Sequence, residues 1–168
     1  MRLVAVGEFP RALLERLARR TRIPLLEGRL DPAVAWDPSR AQYDSTRLLA
    51  ELKAQYEGEI VGATAHDLFI PVLTYVFGEA EMPGRAAIFS IHRLREEFYG
   101  LPPDERLLEE RAVRELWHEV GHLRGLAHCP DAACVMSASH SLERVDSKTD
   151  QFCPACRGRL PRPWPGAP

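Results

Sequence analysis

The sequence holds no apolar run long enough to cross a membrane, which takes about 20 residues. Its longest, from Leu68 to Phe77, is interrupted by Pro71 and Thr74. The first apolar run ends at Glu8, too short for the core of a secretory signal. The expectation is a soluble, cytoplasmic protein. Charge of one sign is missing too: a net charge of −2 gives no general attraction to nucleic acid or to an anionic membrane. Internal repeats are absent. Cysteine is scarce, and all four fall between Cys129 and Cys156, so a disulfide framework is not expected in a reducing compartment. What is present is ordinary in amount: 45% hydrophobic and 27% charged residues, enough apolar side chains for one packed domain and too many for a disordered chain.

Periodicity gives an alternating chain. Leu3 to Val6 reads as a buried strand, and Leu13, Leu14 and Leu17 recur at helical spacing between Arg11 and Arg20. Ile23 to Leu26 reads as a short strand and Glu27 to Arg40, with two prolines, as a loop. Asp44 or Ser45 caps a second helix with Leu48, Leu49, Leu52 and Tyr56 on one side, ended by Gly58. Ile60 to Ala65, Val72 to Phe77 and Ala86 to Ile91 read as strands, the last two joined through a Pro83-Gly84 turn. Pro102-Pro103-Asp104 opens the longest helix, which runs to about Arg124 with Leu108, Ala112, Leu116 and Val120 in a row suited to packing on a sheet. Gly125 fits the left-handed position that stops a helix, and the chain beyond it is loop-rich. The pattern predicts an α/β fold with a mixed sheet, followed by an extended tail over 161–168.

The end of that helix carries His118-Glu119-Val-Gly-His122-Leu-Arg-Gly125-Leu-Ala-His128. Residues four apart share a helix face, so His118 and His122 can hold one ion. Gly125 lets the backbone reverse and bring His128 back as a third ligand. Three protein ligands plus a water are what a catalytic zinc uses. Glu119 sits beside that face, placed to reach a metal-bound water without binding the metal. The spacing is the metzincin signature, which continues to a methionine turn that Met136 can supply. The chemistry expected is hydrolysis without a covalent intermediate: the metal activates water and polarises a carbonyl, and Glu119 moves the proton to the departing amine. Ala138, two residues after Met136, cannot give the tyrosine assistance that some metzincins have. Iron or nickel in place of zinc is left open by the ligand types.

Cys153-Pro-Ala-Cys156 has the two-residue gap from which two sulfurs bind one tetrahedral metal, and Cys129 with Cys134 supply the other pair. Four thiolates leave no open position, so this zinc is expected to be structural. Two disulfides, a redox role for the CxxC pair, and a nucleic-acid-binding ribbon helped by Arg157, Arg159 and Arg162 are the rival readings.

With Cys129 directly following His128, the sequence resembles the archaemetzincins, whose motif runs HExxHxxGxxHC, then CxM, then CxxC. The match covers His118 through Cys156. Upstream, Asp67 to Pro71, Val76-Phe-Gly78 and Ser90-Ile-His-Arg93-Leu are similar to that family's segments, as are Ser141-Leu142, Val145-Asp146 and Phe152 downstream. The resemblance implies a compact metzincin domain over 1–160, with an upper part to about 125 and a lower zinc-bound part from 126. It implies a mixed twisted sheet, a deep cleft, two zinc ions, and peptidase or aminopeptidase activity. Ala138 and His140 depart from the family, which expects a bulkier apolar residue and an asparagine there. That bears on substrate preference rather than on metal binding.

Three hypotheses follow. The first is an active zinc peptidase acting as a monomer on a peptide or protein substrate, without nucleic acid or membrane. The second is a catalytically idle or highly selective zinc protein that binds peptides or a partner. The third is a zinc-ribbon module in which the histidines are incidental. His66, His92 and His140 read as surface or loop residues, with His140 placed to face the cleft. Trp117 reads as core, and Asp67 as either an orienting group or a turn cap.

Overall fold

Strand residues face alternate sides of a sheet, and the first strand sets up two cores on that rule. In the computed structural model, which describes residues 1–161, β1 (Arg2–Val6) leads into α1 (Arg11–Thr21) and β2 (Leu25–Leu30). The short strands β3 (Trp36–Asp37) and β4 (Gln42–Asp44) precede α2 (Ser45–Gln55). The strands β5 (Ile60–Thr64), β6 (Leu68–Phe69), β7 (Gly78–Ala80) and β8 (Ala86–Ser90) follow, then α3 (Glu105–Leu123), α4 (Leu142–Ser147) and α5 (Pro154–Arg159). Leu3 joins Leu13, Leu17, Leu116 and Val120 in one buried cluster. Val4 and Val6 join Leu48, Leu49 and Leu52 in the other. So α1 and α3 cover one face of the sheet and α2 covers the opposite face.

The main sheet has the order β2-β1-β5-β8-β7. All pairs are parallel except β7 with β8, which makes the sheet mixed. Parallel strands covered on both faces need continuous apolar runs. β5 and β8 meet this, since every residue in both is buried. A smaller sheet of order β3-β4-β6 lies beside it in sequence. No helix among the described residues is long and apolar enough to cross a membrane.

α3 forms where its apolar row runs down one side, with Leu108, Ala112, Leu116 and Val120 all buried. Asp104 caps it, its side chain accepting from the Leu107 N–H at 2.9 Å. The two prolines therefore stand before the cap instead of inside the first turn. Asp104→Ala is expected to lower stability by about 1 kcal/mol, read as a lower urea midpoint at unchanged slope.

Two expected strands moved. β2 starts at Leu25 and runs through the predicted loop to Leu30, because an edge strand can leave Glu27 and Arg29 in solvent. Val72 to Phe77 is not a strand: Val72 is 83% exposed and Leu73 49%, and the edge strand comes later, at β7. Only Val76 touches the ladder, in an isolated bridge to Leu68. Leu73, Val76 and Phe77 line a cleft instead, which hydropathy alone does not distinguish from a buried strand. Residues 162–168, where most of the predicted tail falls, lie outside the described residues.

Candidate active site

Helix geometry places the first two histidines, and the way the helix ends places the third. His118 and His122 lie one turn apart on α3, with their Nε2 atoms 3.1 Å apart. Gly125 adopts φ +81°. The Leu126 N–H then donates to the Gly121 carbonyl at 3.0 Å and the Gly125 N–H to that of His122 at 2.8 Å, a pair of bonds that ends a helix and reverses the chain. The reversal puts the His128 ring 5.2 Å from that of His118 and 4.9 Å from that of His122. The three imidazoles offer ligand atoms within 4.8 Å of one another.

The outer nitrogens fix which atoms face inward. His118 Nδ1 meets the Val135 carbonyl at 2.8 Å, and His122 Nδ1 meets that of Leu126 at 2.7 Å. A carbonyl only accepts, so both Nδ1 atoms carry the proton and both Nε2 lone pairs are left for a metal. Tetrahedral zinc with bonds of 2.0–2.1 Å needs nitrogens about 3.3 Å apart, and the 3.1 Å spacing fits. Burial, more than any neighbouring charge, pushes all three imidazoles below their ordinary pKa, and His118 well below it. Neutral imidazoles of this kind could hold a metal ion.

Glu119 is 3% exposed, and its carboxylate makes no hydrogen bond to a described residue. Its Oε1 lies against Gly78 of β7, where a Cβ would press on both that oxygen and the Ile88 carbonyl. Burial raises its pKa well above the usual carboxylate range; Glu115 and Glu79 add to the rise, and Lys148 opposes it. Met136 is fully buried, with its sulfur in the space that a Cβ on Gly121 would occupy.

Cys129, Cys134, Cys153 and Cys156 form a second cluster, with sulfurs within 4.8 Å of one another. The Cys129 and Cys153 sulfurs are 3.8 Å apart. Zn–S bonds of about 2.3 Å in a tetrahedron require close to that separation, whereas a disulfide needs about 2.0 Å. All four are free thiols, which disposes of the disulfide reading. The Cys153 N–H points at the Cys134 sulfur at 3.3 Å, as expected around a thiolate. Cys153 is drawn down to about 7, chiefly by the Cys156 backbone N–H, while burial raises Cys134 and Cys156.

The histidines form one wall of a cleft of about 420 Å³, lined also by Ile70, Leu73, Phe77, Met82, Glu79, Glu115, Ala138 and His140. The Tyr75 hydroxyl donates to the His140 carbonyl at 2.8 Å and joins the two rims. His140 does reach the cleft. His66 stacks on Tyr43, and His92 Nδ1 meets the Ala65 carbonyl at 3.3 Å, so neither joins the metal site. Both Asp67 oxygens accept from the Arg93 guanidinium at 2.7 Å, and Oδ2 also accepts from Gln42 Nε2 at 2.8 Å. Trp117 is buried. Sequence reasoning passed over Glu115, Glu79 and Lys148. Glu115 had a signal, three residues before His118 on the same helix side. Lys148, between Ser147 and Thr149, reads as solvated loop.

A mixed sheet over a helix bearing HExxH, with a third histidine returned by a glycine turn, defines the metzincin class of zinc peptidases. The chain belongs to Peptidase family M54, whose model matches residues 32–162. It is 44% identical over 129 residues to the archaemetzincin of Methanocaldococcus jannaschii, covering 77% of this chain and 72% of that protein. With the archaemetzincin of Methanopyrus kandleri it shares 46% over 134 residues, 78% and 73% of the two chains. The crystal structure of the latter superposes with a TM-score of 0.81 at 37% identity, covering 94% of this chain and 92% of that one. The archaemetzincin of Archaeoglobus fulgidus, solved with malonate, gives 0.82 at 30%, covering 95% and 100%. The chain is a zinc metallopeptidase by family, and its substrates are peptides or proteins.

Proposed function

We propose that His118, His122 and His128 hold a catalytic zinc, that Glu119 is the general base, and that Cys129, Cys134, Cys153 and Cys156 hold a second, structural zinc. The observation that carries this is the convergence of inward-facing imidazole nitrogens beside a buried, unengaged carboxylate on one cleft wall. Zinc held there would lower the pKa of a water toward about 7 and polarise a peptide carbonyl. Glu119 takes the proton lost by the attacking water onto its carboxylate and delivers it to the departing amine nitrogen. The raised basicity that burial gives it suits both halves of that transfer. Gly125 supports the site by reversing the chain, and Met136 by filling the space beneath Gly121.

The finer reading is an aminopeptidase, acting as a cytoplasmic monomer. Glu79 lines the same cleft as Glu119 and suits the ammonium of a free N-terminus. The test is a mixed peptide library with free and with acetylated N-termini, digested by zinc-loaded protein and by protein stripped of metal. Loss of single residues from free N-termini alone, dependent on zinc, is the expected result; cleavage of both sets at internal bonds marks an endopeptidase. The second reading, an idle or highly selective zinc protein, is favoured by the Tyr75–His140 bond across the rims. No products, with two zincs bound, is its signature.

The two sites should differ in proton release. Burial holds the pKa values of the histidines below their ordinary value, so zinc has fewer protons to displace there. The raised thiols of Cys134 and Cys156 must lose theirs. Calorimetry in two buffers is expected to show fewer protons released at the histidine site than at the cysteine site. At the cysteine site it should show release of more than one proton and affinity that falls with pH.

A further inference from the structure

The chain's only lysines are Lys53 and Lys148, and Lys148 is fully buried although it follows α4 in a polar loop. Its Nζ stands 2.8 Å from Glu115 Oε1, which is also buried, and 3.5 Å from His118 Nδ1. An ammonium can only donate. Were it to donate to Nδ1, that nitrogen would have to give up its proton and its bond to the Val135 carbonyl, and the proton would move to Nε2. The lone pair that faces His122 and His128 would then be gone. At 2.8 Å the ammonium and the Glu115 carboxylate form a buried ion pair, although Oε1 receives no aligned hydrogen bond, whereas the contact with Nδ1, at 3.5 Å, is long for a bond to a ring nitrogen.

We propose that Glu115 and Lys148 are positioning residues for His118: Glu115 holds the Lys148 ammonium off Nδ1, so that Nδ1 stays bound to Val135 and Nε2 stays open to a metal. The backbone keeps these groups in register. The Thr149 N–H donates to the Ala133 carbonyl and the Val135 N–H to that of Gln151, both at 2.9 Å, so Lys148 and the Val135 carbonyl sit on one braced segment. Across from it, Glu115 and His118 are separated by one turn of α3. The proposal rests on His118 being a zinc ligand, but it concerns the tautomer of that ring, which can be observed without metal at the histidine site.

The test is long-range proton–nitrogen NMR of the histidines in the full chain with zinc at the cysteines, followed by titration with zinc alone. The parent is expected to show His118 as the Nδ1–H tautomer before zinc is added. Glu115→Gln should shift His118 toward Nε2–H and weaken zinc at the histidine site by about 10–100-fold, as loss of a group supporting a ligand does, with the cysteine site unchanged. Adding Lys148→Met to Glu115→Gln removes the ammonium as well and should restore both tautomer and affinity, which a merely structural role for the pair would not do. An Nε2–H tautomer in the parent overturns the proposal, as does an unmoved Glu115→Gln or a double variant as weak as the single. If Glu115→Gln does not fold, the parent and the double variant decide, because both must show Nδ1–H. Parent protein that binds one zinc only would sink the histidine metal site, while its His118 tautomer still judges the pair.

Discussion

Glu119→Gln is expected to lower peptide hydrolysis by about 10²–10⁴-fold, the range for loss of a positioned general base, with two zincs per chain retained. The amide keeps the volume of the carboxylate against Gly78 but cannot take a proton from water. Stability should not fall. The carboxyl is buried without a hydrogen-bond donor among the described residues, and an ionised group in that position is unfavourable to the fold. A neutral amide relieves that strain, in the way that active-site residues often trade stability for activity. Three readouts on one sample separate the possibilities: kcat/KM on a peptide taken from the library, zinc per chain by elemental analysis, and Tm. A parental rate would remove Glu119 from the mechanism. Loss of zinc along with the rate would make it a structural group of the metal site.

The parts of the site that were legible in the sequence are those fixed by local geometry. His118 and His122 share a helix face by period alone, and Gly125 announced the reversal because few other residues adopt a positive φ. The CxxC gap announced the cysteine cluster in the same way. The parallel core was legible wherever apolar runs were continuous, as in β5 and β8. Legibility ended where tertiary context decided. Leu73 and Phe77 are as apolar as strand residues, yet they border the cleft, and nothing local says so. Lys148 is the sharper case. A lysine between serine and threonine is ordinarily solvated, and its burial depends on a carboxylate 33 positions earlier, on α3. Such a pair is set by packing rather than by period.

Cys156→Ser is expected to remove both metals where His118→Ala removes one, because support runs from the cysteine cluster to the histidines. The residues between the cysteines hold the histidines: the Val135 carbonyl engages His118 Nδ1, and the Cys129 N–H bonds the Met136 carbonyl at 2.9 Å next to His128. That region has only two short helices of its own, α4 and α5, and little to fold it without metal. Structural zinc in small sites contributes about 10–16 kcal/mol of apparent binding free energy. Losing even about 4 kcal/mol of it should lower Tm by roughly 8–16 °C in a chain of this size. The histidine pair on α3, by contrast, sits on a helix whose buried row stays packed on the sheet whether or not metal is present. His118→Ala should therefore bind one zinc per chain with a Tm close to the parent's. Zinc content and Tm of the two variants side by side decide the order of dependence. If Cys156→Ser kept its histidine zinc and its melting temperature, the lower segment would be held by packing alone, and the cysteine cluster would not be the support of the active site.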